Sequence, residues 1–335
     1  MELLELNDYL AYMSKVTDLK EDIKKSLEFI KWKDRVKSDS TVFVKPNFTY
    51  PYYKEGITTS PDLIKAFLEI LKDRADNVIL GESDGGNHSF TADDAFEGHN
   101  MPEICKETGV ELVNLSKLPS KKVEDNIQGK KVEVHLPELL LNDVDCFVSV
   151  PVLKVHVMTN VTLSMKNLWG CYPDTMRGLH HKNLSRKLTL ITKALNPQIV
   201  LMDAKYALDG HGPMYGEPKK LDMIFSSNNP VAIDSLGASV MGIPIKTVEH
   251  ILIAEKEGLG ITDLEKIKMN DDWKKFEMQF SSNKTIIDSF STLLFKSETM
   301  AKLVMDSPVT PLIYGVAKHF RNSDEREVVK ELEKY

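Results

Sequence analysis

Between positions 154 and 167 the chain carries Lys154, His156, Thr159, Asn160, Thr162, Ser164, Lys166 and Asn167. They directly follow Val144–Val152, the most strongly apolar and β-branched run in the sequence. A polar cluster at the end of a buried strand is costly unless its groups bind one another or a ligand. Two lysines and a histidine in such a place point to function: the lysines as cationic anchors, the imidazole for proton transfer. A neighbouring lysine would lower the proton affinity of His156 and favour a neutral, basic ring. His180 and His181 follow Arg177-Gly178, and the stretch Asp203–Gly216, read as a loop, adds Asp209 and His211. Imidazoles and carboxylates after strands could ligate a divalent transition metal (nickel, iron or zinc) or carry protons. This makes His156, Lys166 and His181 the candidate catalytic groups, and His180, His181, Asp209 and His211 the candidate metal ligands. His88 reads as a surface residue; His99, His135, His250 and His319 read as structural or solvated.

A second cluster is Gly81-Glu82-Ser83-Asp84-Gly85-Gly86, a glycine-rich turn at the end of a strand pattern, where open α/β sheets bind ligands. Its spacing is not a dinucleotide fingerprint, and Glu82 and Asp84 would repel a pyrophosphate. No G-x-x-x-x-G-K-[ST] loop occurs in the chain. Carboxylates on such a turn suit sugar hydroxyls, a metal or a cationic group, so Glu82 and Asp84 join Lys154, Thr159 and Asn167 as candidate ligand-binding residues.

The elements that must position these groups alternate between helix and strand. Asp18 can cap a helix reaching about Trp32, and Ser60-Pro61 opens another with Leu63, Ile64, Phe67, Leu68 and Leu71 on one face. Thr41–Val44, Asn77–Leu80 and Val144–Val152 read as buried strands, and Val123–Val134 as a hairpin around Gln128-Gly129. A helix over Ser185–Leu195, strands over Ile199–Met202 and Leu221–Phe225, and a helix from about Pro230 to Met241 follow. The expectation is an α/β fold in two lobes with mainly parallel sheets, spanning 1–150 and 151–270, and a helical extension over 271–335. Apolar Phe290, Leu293, Leu294, Phe295, Leu303, Leu312 and Ile313 in the extension must be buried, on the second lobe across the cleft mouth or in a homo-oligomer contact.

The 335 residues hold 43 basic and 50 acidic side chains, a net charge of −7, which argues against a general nucleic-acid binder. Cys105, Cys146 and Cys171 have no C-x-x-C spacing, so neither a disulfide framework nor an iron–sulfur cluster is expected. The acidic start Met1–Glu5 does not resemble a signal peptide, and the apolar stretch Ser307–Ala317 falls short of the about 20 residues a membrane span needs. A soluble cytoplasmic protein is the expectation.

Seven motifs occur in order: Lys45-Pro46-Asn47, Thr58-Thr59-x-Pro61, the Gly81–Gly86 turn, Lys154-x-His156, Lys166-Asn167-x-x-Gly170, His180-His181 and Asp209-Gly-His-Gly-Pro213. Together they resemble the family called domain of unknown function 362, over about residues 41–245. The resemblance adds Lys45, Asn47 and Thr59 to the candidate ligand-binding residues. A weaker similarity is to the nickel-pincer lactate racemases, in which a histidine, a cofactor-tethering lysine and a nickel-binding histidine occur in this order. Here Lys166 lies 10 positions after His156 (166 − 156) and His181 15 after Lys166 (181 − 166), but Ser164-Met165 replaces the glycine pair before the lysine. The expected function is an enzyme acting on a small polar metabolite, carboxylate or sugar-like, by acid–base chemistry, with metal-assisted racemisation or epimerisation as its sharpest form. The rival is a metabolite-binding or accessory protein of a biosynthetic pathway.

Overall fold

The computed structural model describes residues 9–282, 292–295, 297–308, 310 and 323–335. Phe290, Leu312, Ile313 and His319 of the sequence reading, and the Met1–Glu5 start, lie outside the described residues.

Period-two alternation builds the sheet. In β2 (Thr41–Lys45), Val42 and Val44 face one core while Phe43 faces another, and β3 (Asn77–Glu82) repeats this with Val78 and Leu80 against Ile79. Such two-sided burial is what a parallel sheet covered by helices on both faces requires. One core packs the sheet against α1 (Leu19–Phe29) and α2 (Pro61–Lys72). The opposite face is covered by α7 (Leu184–Leu195), α8 (Pro230–Val240) and α9 (Glu249–Lys256), together with the hairpin Ser120–Ile127/Lys130–Pro137. The hairpin turns at Gln128 and Gly129, both with positive φ (47° and 74°), the geometry that type I′ turns demand.

Strands from both expected lobes share one sheet. Its parallel centre runs from β10 (Ile199–Asp209) through β7 (Cys146–Ser149), β2 and β3 to β4 (Glu111–Asn114). The N-terminal strand β1 (Leu10–Lys15) joins it from the far side, antiparallel to β11 (Glu217–Ser227). The fold is thus mixed α/β with a mostly parallel main sheet, and helices Glu298–Met305 and Ser323–Leu332 lie near the C-terminus. No helix of the described residues is long and apolar enough to cross a membrane.

Two expectations are corrected. The polar stretch Asp203–Gly216 is a loop only in part, because β10 continues to Asp209 and pairs antiparallel with β11 from Asp209↔Glu217 upward. Cross-strand hydrogen bonds satisfy a backbone whose side chains alone suggested a loop, so tertiary pairing overrides local propensity. Ser60 begins α2 as expected, yet its hydroxyl does not cap the helix. Its N–H and Oγ both donate to Asp203 Oδ2, at 2.7 and 2.5 Å, tying α2 to β10.

Candidate functional site

At the carboxyl ends of β2 and β3 the chain encloses a cavity of 350 Å³. The main-sheet strands deliver Lys45 and Glu82, and a two-strand excursion, β8 (Val152–His156) and β9 (Asn160–Val161), delivers Lys154 and His156. The short helix α6 (Leu163–Asn167) adds Lys166 and Asn167, and the segment beyond it adds Trp169, Arg177 and His181. Phe295, Met305 and Leu332 close one side, so the C-terminal extension does reach the cleft.

α6 is anchored from beneath by Asp234, the single carboxylate in the largely apolar helix α8. Asp234 accepts from the N–H groups of Ser164 (2.7 Å) and Met165 (2.9 Å), satisfying donors that a helix start leaves open. Burial pushes its carboxyl up to about 8, against the pull of the two N–H groups. Residues 164 and 165 are thereby fixed, and Lys166 with them.

Most charges lining the cavity have partners. Lys45 Nζ meets Glu82 Oε2 at 2.5 Å with both side chains buried, and also donates to Pro46 O at 2.8 Å. The same Glu82 oxygen accepts from Phe48 N–H (3.1 Å), and Oε1 from Ser83 N–H (3.0 Å). Lys154 Nζ donates to Asn47 Oδ1 (3.0 Å) and Ile57 O (2.7 Å), and burial lowers its proton affinity far below the usual lysine range. Asn47 in turn donates to Asn167 Oδ1 at 3.0 Å. Arg177 donates to Ser83 Oγ (2.9 Å), Tyr172 O (3.0 Å) and Asp84 O (2.6 Å).

Lys166 is the exception. It is partly open to the cavity, and among the described residues no acceptor or carboxylate engages its amine. Enclosure first, then repulsion from Arg177, brings its pKa down to about 7. Its charge in turn helps to hold Lys154, His156, His181 and His250 in their neutral forms, each lowered chiefly by burial. His156 is neutral as expected, but its Nδ1 accepts from Met158 N–H at 3.0 Å. The ring proton therefore sits on Nε2, and His156 offers a donor rather than a base. Thr162, Trp169 and His181 each hold a buried polar atom with no hydrogen-bond partner among the described residues, a costly arrangement unless a ligand or water serves it.

Of the residues singled out from the sequence, Lys45, Asn47, Glu82, Lys154, His156, Lys166, Asn167 and His181 line this cavity. Thr59 supports it from behind, accepting from Asn47 N–H (2.8 Å) and donating to Val150 O (2.8 Å). Asp84 braces the glycine turn, accepting from Ala92 N–H (2.7 Å) and Asn114 Nδ2 (3.0 Å), and Thr159 closes its own turn on Val161 O (2.9 Å). The metal set is not assembled. His180 pairs with Asp174 at 2.7 Å, Asp209 is held by Lys219 and Ser281, and His211 lies against Tyr215. Among the described residues no three His, Cys, Asp or Glu side chains are placed to share an ion. Arg177, Trp169 and Ser83 escaped the sequence reading, and Asp234 left a legible signal as the one charged residue of a largely apolar helix.

Gly170 lets the ion pair lie close. A Cβ there would stand 2.8 Å from Glu82 Oε1 and 2.9 Å from Lys45 Nζ. Gly170→Ala is therefore expected to lower stability by about 1–3 kcal/mol, the usual range for overpacking, as measured by urea denaturation.

The neutral histidines set an acid limit. Burial takes His99 down to about 4 and His250 to about 3, and His156 lies well below its usual value. The unfolded rings bind protons near pH 6.5, so the unfolded state gains protons first as pH falls. The stability they contribute is complete above pH 6.5 and is lost progressively below it. The melting temperature should fall steadily from pH 7 to pH 5. His99→Phe, which keeps a ring stacked on Phe48, should flatten the fall of unfolding free energy, measured by urea denaturation, by up to about 1.4 kcal/mol per pH unit.

Together the fold and cavity define a mixed α/β protein with a basic, half-open site at the carboxyl ends of parallel strands. The chain belongs to the family described as Domain of unknown function (DUF362), whose sequence model matches residues 42–239. It is 28% identical over 130 residues to the thylakoid-associated protein sll1697 of Synechocystis, covering 37% of this chain and 40% of that protein. The chain thus spans less than half the length of that curated relative. No solved structure matches the chain. The similarity to nickel-pincer racemases finds no support in these comparisons.

Proposed function

We propose that the protein is an enzyme that binds a small carboxylate-bearing metabolite in this cavity and moves a proton at the carbon next to its carboxylate or carbonyl. The observation that carries this reading is the make-up of the lining. Among the described residues it holds four basic side chains, Lys45, Lys154, Lys166 and Arg177, against one acidic side chain, Glu82, which Lys45 already engages; with Lys154 neutral, the charge left over is that of Arg177 and of the protonated share of Lys166. A cleft with surplus basic groups favours an anion, and fixed donors stabilise the oxyanion that forms when a proton leaves such a carbon. His156 Nε2–H supplies a donor for that oxygen, and Lys166, near neutrality at physiological pH, supplies an amine able to accept a proton. The reading needs no metal. It also places the enzyme in a reducing cytoplasm without nucleic-acid partners, supported by three buried, unpaired cysteines and the net charge of −7.

The test is proton exchange in deuterium oxide, followed by NMR, over a panel of 2-hydroxy, 2-amino and 2-oxo acids. Enzyme-dependent loss of a C–H signal next to the carboxylate or carbonyl supports the reading. Saturable binding of these acids without exchange would make the protein a metabolite-binding or accessory component instead.

A further inference from the structure

We infer that Lys166 is a covalent nucleophile that forms a Schiff base with the carbonyl carbon of a small 2-oxo acid. This rests on the proposed reading of the cavity and narrows it to one substrate class and one chemical step.

The four basic side chains of the cavity differ in what holds them. Lys45 is locked in a buried ion pair with Glu82. Arg177 is spent on Ser83 and two backbone carbonyls, and a guanidinium has no lone pair to offer at any accessible pH. Lys154 is fully buried and held between Asn47 Oδ1 and Ile57 O. Lys166 alone is partly open to the cavity and engages no acceptor among the described residues, so its nitrogen can approach a bound carbon without breaking an existing contact. An amine desolvated beside another cation is the usual arrangement of a nucleophilic lysine. The depressed proton affinity of Lys166 supports the same assignment. Asp234, by fixing the two residues before it, prevents α6 from drifting as the bond forms.

The chemistry balances without a redox partner. The lone pair of Nζ attacks the carbonyl carbon, and the carbonyl π pair moves to oxygen, which takes a proton to give a carbinolamine. The two amine protons leave with that oxygen as one water, and the C=N bond remains. Protonation of the imine nitrogen by solvent then makes an electron sink, so a proton on the adjacent carbon becomes acidic and leaves to water in the cavity; Lys166 acts in this step as the sink and no longer as the proton acceptor. His156 Nε2–H is a cavity donor for the departing oxygen. The 2-oxo acid is chosen over a neutral ketone or aldehyde because its carboxylate answers the surplus of basic groups.

The full chain would be incubated at pH 7 with pyruvate or glyoxylate and cyanoborohydride, then examined by intact mass and peptide mapping. One reduced adduct per chain is expected, on the peptide carrying Lys166, forming at least about tenfold faster than on exposed lysines because far more of this amine is neutral at that pH. Lys166→Arg should lose the adduct. Labelling spread evenly over surface lysines, labelling at Lys154, or no labelling by either acid would overturn the inference. If neither acid labels Lys166 while proton exchange on a carboxylate substrate persists, the proposed function stands and only the covalent step is lost.

Discussion

Replacing Glu82 with alanine is expected to lower folding stability by about 3–5 kcal/mol, the cost typical of breaking a buried ion pair from one side. The size follows from what remains. Lys45 is wholly buried and would keep its charge beside Pro46 O alone, while the N–H groups of Phe48 and Ser83 would lose their acceptor. Urea denaturation of Glu82→Ala against the parent chain measures the loss. A double change, Lys45→Met with Glu82→Leu, should recover the share of the loss due to the stranded charge, because an apolar pair of similar volume removes it. Recovery failing in the double variant, with no loss in Lys45→Met alone, would show that Glu82 acts through its backbone acceptor role and not through the pair.

Lys166→Met is expected to do the opposite: keep or raise stability at pH 7 while lowering proton-transfer activity by about 10²–10⁴-fold, the usual contribution of a positioned acid–base group. No acceptor among the described residues is stranded by the change, and methionine retains most of the side chain's apolar length. The sign of the pH dependence follows from the lowered affinity. The unfolded lysine binds its proton up to about pH 10.4, the folded one only up to about 7. The unfolded state is therefore favoured in full below pH 7, and the penalty fades as pH rises through the interval. The parent chain should gain on Lys166→Met in relative stability between pH 7 and pH 9. Thermal melts at the two pH values check this, and a cooperative transition lost in Lys166→Met would make Lys166 a structural residue.

The segment Lys154–His181 was legible because its chemistry is local. Lysine, histidine and amide side chains following an apolar, β-branched run have few inexpensive fates, and Lys154, His156, Lys166, Asn167 and His181 do line one cavity. Glu82 was legible as a carboxylate on a strand-end turn, though not as the partner of Lys45, because ion pairing 37 positions apart depends on strand neighbours. The metal set failed for the same physical reason. Spacing along the chain placed His180, His181, Asp209 and His211 after strands, but Asp209 ends a long β-strand and is claimed by Lys219, while His180 is claimed by Asp174.

What was readable from the residues in order is therefore the mixed α/β class, most element positions, the helix starts at Asp18 and Pro61, and the hairpin at Gln128-Gly129. These depend on periodicity, capping and positive φ, all settled within a few neighbouring residues. The order of the strands, the sharing of one sheet by both halves, the partners of each buried charge and the isolation of Lys166 were settled by packing. They depend on which distant groups meet in a low-dielectric interior, where an available partner decides whether a charge is neutralised, paired or left reactive.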